Sequence, residues 1–181
     1  MASDTYEGRR AAGDSFEPEV QDELWLRGWY TEPIGRGQLS AVMNQKINQL
    51  VIKTGNNKIA HVPDLLTIAA DRSRAYIINA KADGLDDKSG TPKWMKTGNH
   101  CVQIDSLRGM AAATAAWGLP GVFVFDDWTY ATVDTITEAC AEGRRPSEWR
   151  TKFVTFPVHI GKPFDELFGS VDGWSRVYET R

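Results

Sequence analysis

The stretch that most limits the fold is residues 61–82, HVPDLLTIAADRSRAYIINAKA. Pro63-Asp64 opens one apolar run, the polar tetrapeptide Asp71-Arg72-Ser73-Arg74 reverses the chain, and a second apolar run ends in Asn79-Ala80-Lys81. Two apolar runs around a polar turn predict a β-hairpin. Antiparallel pairing about that turn brings Asp64 level with the end of the second strand, near Asn79 and Lys81. Strand alternation then sends Asn79 and Lys81 to one face and Ala80 to the other. A carboxylate, a neutral oxygen and an ammonium meet at one end of the hairpin.

The flanking sequence surrounds this hairpin with helices. Ser15 to Arg27 predicts a helix capped by Ser15, with Pro18 in the first turn, where a missing N–H costs little. Phe16, Val20, Leu24 and Trp25 supply its apolar stripe, and Gly28 ends it. Residues 29–33 predict a short strand. Residues 39–53 predict an amphipathic helix whose stripe of Leu39, Val42, Met43, Ile47, Leu50 and Val51 faces the core; a lid or dimer contact is the other use for it. Residues 83–98 form a long polar loop. Residues 99–117, with Val102, Leu107, Met110 and a run of alanines, predict a helix that Gly118-Leu119-Pro120 stops, and Val122 to Phe125 predict a buried strand. A strand, helix, strand succession implies a right-handed parallel crossover. Beyond it lie a helix over 132–142, an edge strand over 153–158 and a helical turn or loop over 164–168.

Taken in order, a glutamate-bearing helix, a Pro-Asp strand, an Asn-Ala-Lys strand, a glutamine-bearing helix and an apolar strand, this chain resembles the PD-(D/E)XK nuclease superfamily from about residue 15 to 126. The likeness is to its phage or bacterial RecB-like or Holliday-junction-resolvase-like members. The motifs are Pro63-Asp64 and Asn79-Ala80-Lys81. The resemblance implies a restriction-endonuclease-like α/β core, a central mixed β-sheet flanked by helices. It implies a Mg²⁺- or Mn²⁺-dependent deoxyribonuclease of recombination, repair or phage DNA processing, an endonuclease rather than an exonuclease. Asp64 stands as the bridging metal ligand, Asn79 as a second, the Ala80 carbonyl as a main-chain ligand, and Glu17 as a further ligand, with Glu19 its competitor in the same turn. Lys81 orients or deprotonates the attacking water. Gln103, one turn into its helix, positions water or phosphate, or simply faces solvent. Many such nucleases cut as dimers, so a homodimer is a further expectation. Oxygen ligands suit these hard cations.

One residue departs from the motif: position 79 carries an amide where the superfamily has an acid. Losing one negative charge weakens attraction for a divalent cation substantially. Three accounts stand. The protein works poorly or with other ligands; it is a catalytically silent module that binds nucleic acid or a partner on a nuclease fold; or it is an aspartate-to-asparagine form made to stop cleavage. Near-isosterism favours the third.

Composition bounds the rest. With 181 residues and 41% apolar content, residues 15–181 suit one domain with a sizeable core, behind a polar, frayed segment 1–14 without an apolar leader. A net charge of −3 excludes a strongly basic coat protein but not a nuclease, because bound cations reverse the local field. Lys88, Lys93 and Lys96, with Trp94 among them, form a candidate nucleic-acid contact with a base-stacking aromatic; Arg144, Arg145, Arg150 and Lys152 form another cluster. A solvated face is the plain alternative for both. Cys101 and Cys140, the two cysteines, lack metal spacing and read as buried thiols of a reducing cytoplasm, prokaryotic or phage-infected, with a disulfide as the lesser alternative. No apolar run is long enough to span a membrane. His61 and His100 fall outside the motif and read as structural.

Overall fold

The structure, a computed structural model, describes residues 6–35, 38–54, 62–82, 93–141 and 153–171. Its centre is the expected hairpin, β2 (Leu65–Ala69) and β3 (Ala75–Lys81), paired antiparallel with Leu65 opposite Ile78 and Ile68 opposite Ala75. Turn chemistry fixes this register locally. Asp71 Oδ1 accepts the Ser73 N–H at 2.9 Å and the Ser73 hydroxyl at 2.6 Å, and Arg72 takes a left-handed φ of 60°.

Pairing continues on both sides. β1 (Trp29–Pro33) lies antiparallel to β2, and β5 (Gly121–Phe125) lies parallel to β3, with Lys81 opposite Phe125. β6 (Thr129–Thr132) and β8 (Lys162–Pro163) complete a six-stranded mixed sheet of order β1-β2-β3-β5-β6-β8. A second sheet pairs β4 (Asn99–Gln103) with β7 (Phe153–Pro157).

Helices cover both faces of the large sheet, giving an α/β domain around a central mixed sheet. α1 (Tyr6–Leu26) buries Phe16, Val20 and Leu24 in one cluster with Leu65, Ile78, Ala80, Val122 and Val124. Complete burial of Val20 and Leu24 is worth about 1.5–3 kcal/mol each. Gly28, at φ 76°, ends the helix and donates to the Trp25 carbonyl at 2.9 Å. The other face carries a second cluster. Ile77, Phe123 and Phe125 meet Met110 of α4 (Ile104–Trp117), Ile136 of α5 (Val133–Ala141), and Val102, Val154 and Phe156 of the small sheet. The short α6 (Phe164–Phe168) returns Phe164 and Phe168 to the α1 face.

Five sequence expectations need correction. α1 starts at Tyr6, upstream of the expected Ser15 cap, so Pro18 lies inside the helix and forgoes one backbone bond, and Trp25 is exposed rather than part of the stripe. α2 (Ala41–Thr54) leaves Val42 63% and Met43 48% exposed, so these two stripe residues do not join the core; nothing is described for the Leu50 and Val51 side chains. The helix expected over 99–117 begins only at Ile104. Residues Asn99 to Gln103 form β4 because β7 supplies a hydrogen-bonding partner some fifty residues downstream, and His100 and Val102 alternate inward. Within the expected polar loop, Lys93–Thr97 forms a short helix, α3. Cys101 is half-buried rather than buried.

Candidate functional site

Asp64 occupies a bend held from three directions. Its main-chain N–H donates to the Ile78 carbonyl at 2.9 Å, and its carbonyl accepts the N–H groups of Ile34 at 2.8 Å and Gly35 at 3.0 Å. Its side chain reaches across to β3, where Oδ2 accepts the Ala80 N–H at 2.9 Å. The hairpin ladder, extended by one step, sets Asp64 opposite Asn79. Ile78 and Ala80 lie in the cluster beneath α1 and Ile77 lies in the opposite one, so Asn79 and Lys81 share the face of Ile77 by alternation.

Asn79 is 5% exposed, and its Oδ1 is buried with no hydrogen-bond partner among the described residues. Buried carbonyl oxygens are ordinarily satisfied, so this orphan, on the residue opposite Asp64, needs a donor that the described residues do not supply. Lys81 ends β3. Its carbonyl accepts the Asp126 N–H at 3.2 Å, tying the lysine to the end of β5.

Desolvation dominates both charged ends. Burial pushes the Asp64 carboxyl above its ordinary value, against the pull of Lys81 and the Ala80 N–H. Burial also holds the Lys81 ammonium below its ordinary value, opposed by the charges of Asp64 and then Glu17. Glu17, half-buried on α1, therefore stands within electrostatic reach of Lys81, whereas Glu19 is exposed. Of the two glutamates, Glu17 is the one whose charge acts on Lys81.

The other candidates separate. Gln103 is exposed at the last position of β4, ahead of α4 rather than one turn inside a helix. Lys88 and His61 lie outside the described residues, as do Arg144, Arg145, Arg150 and Lys152. Lys93 and Trp94 are placed only as backbone of α3, on which Lys96 and Met95 are exposed. Among the described residues, no group of three or more His, Cys, Asp or Glu side chains is arranged to hold a metal ion. The oxygen set at this end of the sheet is Asp64 with the neutral Asn79, and Glu17 nearby.

Sequence reading missed Asp126, a neighbour of Lys81, and the carboxylate partner of the structural His100. Asp126 follows β5 directly beside Lys81, with its Oδ1 buried. His100, fully buried, stacks on Phe125 at 4.1 Å and 17° between ring planes. Its Nε2 lies 3.2 Å from Asp127 Oδ2 and 3.2 Å from Thr129 Oγ1. The Asp126-Asp127 pair following an apolar strand was the available signal, but only the parallel pairing of β3 with β5 brings it to Lys81.

No family model matches the chain, and no curated protein matches it. Among solved structures, the chain is similar to Hjc, a Holliday junction resolvase from the archaeal hyperthermophile Archaeoglobus fulgidus, with a TM-score of 0.48 and 14% identity over 87% of this chain and 96% of that one. No helix of the described residues is long and apolar enough to cross a membrane.

Proposed function

We propose that the end of the hairpin is the site of a metal-dependent deoxyribonuclease, an endonuclease acting in recombination, repair or phage DNA processing, and that Asn79 makes this chain a weakened or inactive form of it. The observation that carries the reading is the convergence of Asp64, Asn79 and Lys81, with an unsatisfied buried oxygen on Asn79 and the charge of Glu17 on Lys81.

The donor set consists of oxygens, which fits Mg²⁺ or Mn²⁺ and not a thiolate metal. Asp64, Asn79 Oδ1, the Ala80 carbonyl and Glu17 would hold the cation. When bound, it supplies positive charge against the phosphorane-like transition state and acidifies a water. The protein's own groups do the remaining work. The Ala80 N–H holds Asp64 Oδ2 and so fixes the carboxylate plane. Lys81, whose positive charge burial disfavours, is suited to take a proton from an attacking water as the neutral amine, or as the ammonium to steady negative charge on the phosphate. Asp126, hydrogen-bonded to the Lys81 main chain, keeps the end of β3 in place.

A second reading rests on Asn79 itself. With an amide there, Asp64 and Lys81 balance each other, and the face could bind nucleic acid or a partner without metal or cleavage. The two readings part on metal dependence. Cleavage of linear, single-stranded and branched DNA is compared for this chain and its Asn79→Asp form in Mg²⁺, Mn²⁺ and chelator. Cleavage by the aspartate form that vanishes with Lys81→Ala supports the nuclease and ranks its substrates. Absence of cleavage from either form, with DNA binding indifferent to chelator, supports the silent module. Sedimentation of the DNA-bound chain tests the homodimer.

A further inference from the structure

Asp64 has one oxygen in use and one to spare. Oδ2 accepts the Ala80 N–H, whereas Oδ1 takes no hydrogen bond among the described residues. The main chain of Gly35 packs against Asp64, its N–H donating to the Asp64 carbonyl at 3.0 Å. A Cβ placed on Gly35 would sit 3.5 Å from Asp64 Cα, 3.6 Å from its carbonyl oxygen and 3.8 Å from Oδ1.

These distances separate two reasons for a glycine. Gly35 is absent from the positive-φ glycines, which are Gly28, Gly98, Gly118 and Gly169, so its backbone does not demand glycine. Nor would a methyl group clash, since all three distances are ordinary van der Waals contacts. The fold would accept alanine here, and alanine restricts the unfolded chain more than glycine does. What the methyl would do is stand in van der Waals contact with the spare oxygen of Asp64, narrowing the approach to it from that side.

We infer that Gly35 keeps open the approach to Asp64 Oδ1, as a clearance position for a divalent cation and the phosphate oxygen it carries. The inference rests on the nuclease reading of the site and adds to it a residue on the β1–α2 connection that sets access to the carboxylate. A cation arriving with its water shell needs free volume on the side of the carboxylate away from Ala80, and that side is the one Gly35 borders.

The test measures Mn²⁺ affinity by electron paramagnetic resonance, with thermal melting alongside, for the full chain, its Asn79→Asp form, and Asn79→Asp carrying Gly35→Ala or Gly35→Val. Gly35→Ala is expected to melt at the same temperature as its parent or higher while losing roughly 10- to 100-fold in Mn²⁺ affinity, with a larger loss for valine. Unchanged Mn²⁺ affinity in a folded Gly35→Ala overturns the inference and leaves the nuclease reading standing. Failure of Gly35→Ala to fold overturns it too, because the glycine is then required by the fold. If Asn79→Asp does not bind Mn²⁺, or binds it equally after Asp64→Ala, the reading and the inference fall together.

Discussion

Asp64 Oδ2 accepts the main-chain N–H of Ala80 at 2.9 Å, a bond that joins the residue before β2 to the centre of the Asn79-Ala80-Lys81 segment. Through it the carboxylate is oriented by the backbone of the strand that carries its partners, so the site's geometry is part of the sheet's own hydrogen bonding. The charges themselves are held against their preference, since burial raises the carboxyl and weakens the ammonium. Sites of this kind cost stability and are repaired by what binds there.

Asn79→Asp puts a second carboxylate in a buried position opposite Asp64. Without metal it is expected to destabilise the fold by roughly 2 kcal/mol, because like charges in a desolvated place disfavour each other. Mn²⁺ at about 100 times its dissociation constant should return about 2.7 kcal/mol. Thermal melts of both forms in chelator and in Mn²⁺ check this; a melting point for Asn79→Asp that ignores Mn²⁺ would count against a metal site.

Arg27 joins α1 to α6. It is 9% exposed, pairs with Glu23, and meets Asp165 through Nη2 at 2.7 Å and Nε at 3.1 Å. It also donates to the Gly169 carbonyl at 2.8 Å and lies 5.0 Å from the centre of the Phe164 ring. Arg27→Ala should cost about 2–4 kcal/mol, below the loss for a fully buried pair because Glu23 and Asp165 can rehydrate. Chemical denaturation gives the value, and Arg27→Lys should recover only part of it, lacking the planar fork.

Asp127 accepts from Thr129 Oγ1 at 2.6 Å and Thr129 N–H at 3.1 Å, beside His100. Burial raises its carboxyl, but the bonds from His100 and Thr129 outweigh burial and hold it below the ordinary value. The folded protein thus prefers the ionised form, and this contribution is complete above the unfolded value near 3.8 and is lost as pH falls through the folded value. Asp127→Asn should cost about 1.5–3 kcal/mol at neutral pH, and the gap from the parent should close below about pH 4. Denaturation at a series of pH values reads it directly; a gap independent of pH would refute the assignment.

Gly121 begins β5 where α4 and α5 press on the sheet. A Cβ there would come within 2.5 Å of Thr114 Oγ1 and 2.8 Å of Val133 Cγ2. Gly121→Ala is therefore expected to destabilise by about 1–3 kcal/mol through overpacking, with the denaturant midpoint lowered and the slope unchanged. The contrast with Gly35, where a methyl meets only ordinary contacts, makes these two glycines a matched pair.

Much of this was written locally. The turn chemistry of Asp71 and Ser73 and the period-two runs on either side set the hairpin register, and so the approach of Asp64 to Asn79 and Lys81. Phe16, Val20 and Leu24 repeat at a spacing that only a helix places on one face. The tertiary structure decided what depended on distant partners. His100 and Val102 could be read as helix until β7 offered their strand a ladder, and Gln103 moved to a strand end with them. Val42 and Met43 read as core because a helical stripe records which residues share a side, but not whether anything covers it. Asp126 reached Lys81 only through the parallel pairing of β3 and β5, and the Asn79 Oδ1 was left without a hydrogen-bond partner among the described residues only when the sheet closed around it. Periodicity and turns are properties of neighbouring residues; burial and pairing belong to residues that the chain brings together from afar.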